Sequence, residues 1–311
     1  MNITVFGGNG FIGSHVVDML LKAQHKVTVF GRSHERFRPP LGGVRYILAD
    51  FDDEEKIAKA LQGAELVMHL ITSTIPQTSN EEPVYDIQSN LINTVKLLNR
   101  CVSCGVKKVV YLSSGGTVYG IPATYPVEES HETTPICSYG IVKLAVEKYL
   151  HLYHHLYNLD YVVLRASNPY GERQDPSGRQ GVVSVFLGRA LRHLPVTLWG
   201  DGNVVRDYIY VKDLARACVL SINPDIKNTI LNIGSSQGTS LNQILDIIQD
   251  VTGQSIQIER KAPRTLDVPK LILDNKKAIA QLAWSPATSL EEGIHQSWEW
   301  LKLHEANSQN N

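Results

Sequence analysis

The stretch Gly7-Gly8-Asn9-Gly10-Phe11-Ile12-Gly13 constrains the fold of this 311-residue chain more than any other. It follows directly on Ile3-Thr4-Val5-Phe6, which reads as a short buried strand, and it opens a helical pattern running to about Ala23. Strand, glycine turn and helix in that order make a corner suited to the phosphates of a dinucleotide. Gly7 permits the tight turn, Gly10 lets the backbone approach a pyrophosphate, and Gly13 lets helix and strand pack closely. The helix N-terminus adds free N–H groups for the anion. The spacing is G-x-x-G-x-x-G rather than G-x-G-x-x-G.

The first half of the chain alternates strand and helix. Strands are expected at Ile3–Phe6, Val27–Phe30, Val44–Leu48, Leu66–Ile71, Val109–Ser113 and Tyr161–Arg165. Helices are expected at Phe11–Ala23, Asp53–Leu61, Asp86–Cys104 and Tyr139–Tyr157. Such alternation implies an α/β fold with a doubly wound parallel sheet. Ligands then bind at the carboxyl ends of the strands, and Gly7, Asp50, Ser113 and Asn168 each fall just after one. Past Arg165 the pattern is irregular, with helices near Val182–Arg192, Val211–Ile222, Leu241–Thr252 and Leu290–Leu303 and a strand at Val196–Trp199. The expected division is a nucleotide-binding domain over 1–167, with a returning segment at about 205–235, and a smaller C-terminal lobe over 168–204 and 236–306. Residues 307–311 read as a disordered tail.

Composition narrows the function classes. Hydrophobic residues at 43% and charged residues at 20% are ordinary for a soluble globular protein. A net charge of -1 gives no general attraction to nucleic acid or to an anionic membrane. No apolar run reaches the ~18 residues of a membrane span, and the start lacks the features of a signal peptide. A cytoplasmic location is therefore expected, and Cys101, Cys104, Cys137 and Cys218 suit its reducing conditions. Cys101 and Cys104 form a C-x-x-C without a second ligand pair, and His151, His154 and His155 lack a carboxylate at a matching position. No metal site is expected.

Ser138-Tyr139-Gly140-Ile141-Val142-Lys143 sets a phenol and an ammonium four residues apart, on one face of a helix. A cation held there favours the phenolate, so an otherwise inert tyrosine becomes a usable base. Alone the spacing is common in helices. Downstream of the glycine turn it points to hydride chemistry.

Three further segments complete the pattern: Ser113-Ser114-Gly115-Gly116-Thr117-Val118-Tyr119-Gly120, Arg165-Ala166-Ser167-Asn168-Pro169-Tyr170-Gly171 and Arg206-Asp207-Tyr208-Ile209-Tyr210-Val211. With them, from Ile3 to about Leu303, the chain resembles the extended short-chain dehydrogenases/reductases of the NAD-dependent epimerase/dehydratase family, of the UDP-glucose 4-epimerase type. The resemblance implies a Rossmann-like domain and a tightly held NAD. Tyr139 would take the proton from a sugar hydroxyl while the carbon beneath passes hydride to the nicotinamide. Lys143 would bond the nicotinamide ribose and keep the phenol acidic, and the 4-keto sugar would turn over and regain hydride on its other face. Cofactor contacts are implied for Gly7, Gly10, Phe11, Ile12, Gly13, Arg32, Asp50, Phe51, Leu70, Asn90 and Ser113, besides Tyr139 and Lys143.

In the substrate lobe the resemblance has Asn168 cap a diphosphate that Arg206 and Arg264 neutralise, with Asp267 on the nucleotide ribose. Leu271 aligns with a position that gates 2-acetamido sugars. The expected activity is that of an NAD(P)-dependent nucleotide-sugar epimerase, 4-epimerising a UDP-hexose for surface polysaccharide. A homodimer is implied, formed by Asp86–Cys104 and Tyr139–Tyr157 with apolar surface from Leu144, Tyr149, Leu152 and Tyr153.

Two positions depart from the family pattern. Gly115 stands where 4-epimerases usually carry Ser or Thr, and Thr117 is the hydroxyl left to assist as a catalytic residue. The second strand ends in Gly31-Arg32-Ser33 without a carboxylate, so Arg32 and Ser33 could accept the 2′-phosphate of NADP in place of NAD. Gly116-Thr117 carries no acidic pair and argues against a 4,6-dehydratase. An NADP-dependent nucleotide-sugar reductase or dehydrogenase, and a non-catalytic NAD(P)-sensing protein, are the alternative readings.

Overall fold

Seven parallel strands form the central sheet of the computed structural model, which describes residues 1–178, 180–263 and 268–309, the side chains of 306–309 excepted. In chain order the first six are β1 Asn2–Phe6, β2 Lys26–Gly31, β3 Val44–Leu48, β4 Leu66–His69, β5 Lys108–Ser114 and β6 Asp160–Ala166. Between them run α1 Phe11–Lys22, α2 Glu54–Leu61, α3 Pro76–Glu81, α4 Pro83–Asp86, α5 Asn93–Ser103 and α6 Ser138–Tyr157. The seventh strand, Thr229–Ile233, pairs with β6 and was not foreseen. Across the sheet the order is Thr229–Ile233, β6, β5, β4, β1, β2, β3. Winding reverses between β1 and β4, and a sheet of this kind receives its ligand in the crevice at that reversal.

Parallel strands covered on both faces read as continuous apolar runs. Ile3 and Val5 of β1 pack with Val16, Val17 and Leu20 of α1, while Phe6 faces Leu97 and Leu98 of α5 and Val146 and Leu150 of α6. The one polar residue between them, Thr4, donates to the Ala60 carbonyl at 2.8 Å. The helix Val211–Leu220 returns to the α1 side through Leu214, Ala215, Ala217 and Cys218.

The helix expected over Asp86–Cys104 runs continuously from Pro83 to Ser103, with one stretch of different pitch. α4 passes into a π turn, Ile87–Ile92, before α5 begins, and the widened turn leaves Asn90 buried. β4 ends at His69, short of the expected Ile71. Leu70 and Ile71 instead pass over the glycine turn, where a Cβ on Gly7 would lie 3.1 Å from Ile71 N.

The C-terminal lobe gathers Val182–Leu191, Val196–Trp199, Leu241–Thr252 and Leu290–Gln309 around a core including Phe186, Leu198, Ile244 and Trp298. Ser240 and Gln243 cap the Leu241–Thr252 helix reciprocally, and Gly253 ends it in the left-handed conformation. The last helix continues to Gln309, beyond the point where a disordered tail was expected to begin. Lys276–Leu282 is a helix with no sequence forecast.

The β2–β3 loop is tied down from three sides. Arg36 pairs with Asp175, Arg38 and Arg173 both pair with Asp18 and Glu35, and Phe37 meets Trp300 and His304 edge-on at 5.0 and 4.9 Å.

Candidate active site

The glycine turn has the shape that its sequence foretells. Gly7 sits at φ +86°, and Gly10 N donates to Gly7 O at 3.0 Å. A Cβ on Gly13 would fall 2.1 Å from Gly7 O and 2.7 Å from Gly8 Cα, both backbone atoms. Phe11 and Ile12 open α1, whose N-cap, Gly10, offers no side-chain acceptor to the first N–H groups. Those donors suit a pyrophosphate. Asn9 adds a bond that sequence reasoning missed: its Nδ2 donates to Ser33 O at 2.6 Å and ties the turn to the end of β2.

Along the expected adenosine end, Arg32, Ser33 and Asp50 are exposed, and Leu70 is half-buried. Phe51 packs its ring into the core, 6.0 Å from Phe6 and 5.3 Å from His69. The first carboxylate after β2 is Glu35, already held by Arg38 at 2.6 Å and Arg173 at 3.6 Å.

Tyr139 and Lys143 lie on the first two turns of α6, facing the ends of β4 and β5. Lys143 Nζ donates to Leu112 O at 2.9 Å and stands 5.5 Å from the Tyr139 ring centre and 4.9 Å from that of Tyr111. Burial pulls the ammonium down to about 8, opposed by Asp86 and Glu147. Tyr139 N donates to Ser79 Oγ at 3.0 Å, and its phenol hydrogen-bonds the Thr72 hydroxyl. Burial pushes the Tyr139 phenol up to about 12 in the ligand-free chain, and the Thr72 bond works the other way.

Two of the expected cofactor residues have protein partners in the ligand-free chain. Asn90 donates to Asp86 Oδ1 at 2.9 Å and Thr74 Oγ1 at 3.1 Å and accepts from Ser73 N at 2.8 Å. Asp86, fully buried, also takes Ser138 Oγ at 2.7 Å, so this knot fixes the start of α6 to the loop after β4. Ser113 turns inward and donates to Glu147, which is paired with Arg165. Thr72, Asp86 and Glu147 carried no motif signal except position, and Arg165 opened a motif segment without a role assigned to it. Glu147 lies four residues after Lys143, the one hint available.

Thr117 Oγ1 is buried without a hydrogen-bond partner among the described residues, a costly arrangement unless a ligand completes it. The space above Gly115 is filled. A Cβ there would lie 2.5 Å from Leu273 Cδ1 and 3.1 Å from Arg165 O. Leu273 and Leu271 pack with Val118, Tyr119 and Val127, so Leu271 is a core residue in the ligand-free chain.

On the lobe side, Asn168 donates both its backbone N and Nδ2 to Asp207 O, at 3.0 and 2.9 Å. Arg206 donates to Val205 O at 2.9 Å. Between the two, Asp207 is fully buried, and burial pushes its carboxyl up to about 6 against bonds from Ser235 N and Oγ, Ser236 N and Leu273 N. Arg264 and Asp267 lie outside the described residues. His154 stands 3.4 Å from Asp160. No helix among the described residues is long and apolar enough to cross a membrane.

A glycine cradle at the β1–α1 corner, with a tyrosine and a lysine across the crevice from it, defines a nucleotide-dependent enzyme class. Residues 3–234 match the NAD dependent epimerase/dehydratase family, and the chain belongs to that family. It is 38% identical to a putative UDP-glucose 4-epimerase of Methanocaldococcus jannaschii, over 96% of this chain and 98% of that protein. It superposes with a TM-score of 0.93 on the UDP-glucose 4-epimerase of Thermotoga maritima solved with UDP-glucose, at 39% identity over 97% of this chain and 99% of the other. The Thermus thermophilus UDP-glucose 4-epimerase, solved with NAD, gives a TM-score of 0.91 at 35% identity, over the same shares.

Proposed function

We propose that this protein is a nucleotide-sugar 4-epimerase that acts on a UDP-hexose with a retained NAD, in cytoplasmic synthesis of surface polysaccharide. The observation that carries the reading is the pairing of Tyr139 and Lys143 at the start of α6 beside the end of β5, with the Thr117 backbone packed against Gly140 of the same helix and its hydroxyl unpartnered among the described residues. The relatives solved with UDP-glucose and with NAD support it.

A bound nicotinamide, held by the α1 N-terminus and Lys143, would supply the hydride acceptor and donor. The chain's own residues do the rest. The α1 N-terminus holds the pyrophosphate. Lys143 spends one of its three N–H donors on Leu112 O and has two for a ribose hydroxyl. Tyr139, in its phenolate form, accepts the sugar hydroxyl proton to become the phenol and returns it when the keto sugar is reduced. Thr117 takes the hydrogen bond to the sugar oxygen in place of a residue at 115. Asn168, Arg206, Arg264 and Asp267 grip the nucleotide and diphosphate, so the sugar alone turns between its two faces.

The test is proton NMR of the purified enzyme with UDP-glucose, UDP-N-acetylglucosamine and UDP-glucuronate, separately and without added cofactor. A new anomeric signal from one 4-epimer is expected, and Tyr139→Phe should abolish it. Exposed Arg32 and the occupied Glu35 favour one second reading, an NADPH-dependent reductase, which stoichiometric use of added cofactor would establish instead.

The same protein is proposed to be a homodimer. Val84, Tyr85 and Ile92 on the α4–α5 run, and Ile141, Leu152 and Leu156 on α6, expose an apolar surface suited to a second copy, although Tyr153, expected there, is buried. Sedimentation at micromolar concentration decides it.

A further inference from the structure

Tyr139, Lys143 and Glu147 follow at four-residue intervals on α6 and project from one stripe of the helix. The proposed reaction uses the first two. Glu147 is 3% exposed, and its carboxylate takes Ser113 Oγ and, from Arg165, Nε at 3.1 and 3.2 Å and Nη2 at 2.7 Å. Arg165, equally buried, sends Nη1 to the Tyr119 hydroxyl at 2.9 Å, and Tyr119 donates to Asn232 Oδ1 at 2.7 Å.

Ser113 and Tyr119 bracket the segment that bears Thr117. One ion pair therefore grips both ends of the Thr117 loop and the helix of Tyr139 and Lys143. Stability is a weak reason to keep such a pair, because well-packed apolar residues of similar volume often serve as well or better. What apolar packing does not supply is a directional link between Ser113, Tyr119 and α6.

We propose that Glu147 is a positioning residue for the epimerisation: with Arg165 it sets the Thr117 loop against α6, so that the threonine hydroxyl and the Tyr139 phenol address the same sugar oxygen. The proposal rests on the epimerase reading above. Lys143 Nζ on Leu112 O, the residue before Ser113, belongs to the same frame. Misplacement of a reacting group by ~1 Å can cost about a hundredfold in rate.

Glu147→Asp keeps the charge beside Arg165 and withdraws the carboxylate by one methylene. In the NAD-loaded enzyme, kcat should fall on the order of tenfold or more, with KM for the UDP-sugar and cofactor retention within about twofold of wild type. Unchanged kcat overturns the proposal. The double variant E147Q/R165M removes both charges, and its Tm should approach that of wild type while kcat stays low. If kcat returns together with Tm, the pair contributes only stability and the proposal is wrong.

A readout independent of turnover separates this proposal from the epimerase reading. In threonine-methyl NMR of the holoenzyme, assigned with Thr117→Val, Glu147→Asp should move the Thr117 methyl signal and leave methyls of the C-terminal lobe in place. A stationary Thr117 signal overturns the proposal even if no sugar is turned over. A moved signal upholds the linkage even if the substrate has to be sought elsewhere.

Discussion

Gly115 and Leu273 compete for one volume, and that competition reverses the sign of a substitution. The Cβ of Gly115→Ala would lie 2.5 Å from Leu273 Cδ1, inside contact distance, and Leu273 is wholly buried and has little room to withdraw. Overpacking of this kind costs about 1–3 kcal/mol. Against it stands a gain of about 0.4–1 kcal/mol, because alanine restricts the unfolded chain and Gly115 is not among the positive-φ glycines. The net effect in wild type is a loss of on the order of 1–2 kcal/mol. Leu273→Ala alone costs about 2–5 kcal/mol through the cavity it leaves. In that background the clash is gone and only the 3.1 Å approach to Arg165 O remains. Gly115→Ala should then be neutral or stabilising, a coupling of at least ~1 kcal/mol. Urea unfolding of the four proteins measures it. Equal and additive losses in both backgrounds would falsify the claim that Leu273 occupies the missing side chain's place.

Other perturbations probe the site from different directions. Gly13→Ala drives a Cβ into backbone atoms that cannot swing aside, so the purified protein should emerge from gel filtration without cofactor; co-elution of cofactor at the wild-type ratio counts against the cradle. Lys143 is held near 8 by burial, so turnover should decline as pH rises through about 8 and the ammonium is lost; a flat profile to pH 9.5 contradicts its role as a charged donor. His69 and His15 are buried neutral, with burial lowering them to about 3 and about 4. The unfolded chain protonates both near 6.5, so their contribution to stability is complete above that pH. It drains as pH falls, by up to ~1.4 kcal/mol per unit for each, until His15 titrates near 4 and His69 near 3. Urea midpoints at pH 7.5, 6 and 5 report it, and His69→Gln should flatten the slope.

Legibility in the sequence followed physical range. The β1–glycine–α1 corner was legible because every constraint on it is local: a tight turn, a free helix end and a close backbone contact at Gly13 each select glycine within seven residues. Tyr139 and Lys143 were legible for the same reason, being one helical turn apart. What escaped depends on partners far along the chain. Thr229–Ile233 is a strand because β6 accepts it, and the π turn at Ile87–Ile92 exists where Asn90 closes on Ser73 and Thr74. The bond from Ser113 to Glu147, itself paired with Arg165, joins three elements, and no local spacing shows it. The spacing to Lys143 shows a cation beside the phenol, whereas the burial that pushes the phenol up is a property of the whole fold.

The hold of Trp300 and His304 on Phe37 joins opposite ends of the polypeptide. Asn9 fastens the same loop to the glycine turn through Ser33. During synthesis the turn and its strand leave the ribosome early, but the wall beside them cannot close until the final helix has followed. Pairings so distant in sequence form late. The nascent chain thus passes through a stage in which the sheet is assembled and the rim of its nucleotide crevice is still open. Restraint of the Leu290–Gln309 helix would prolong that stage.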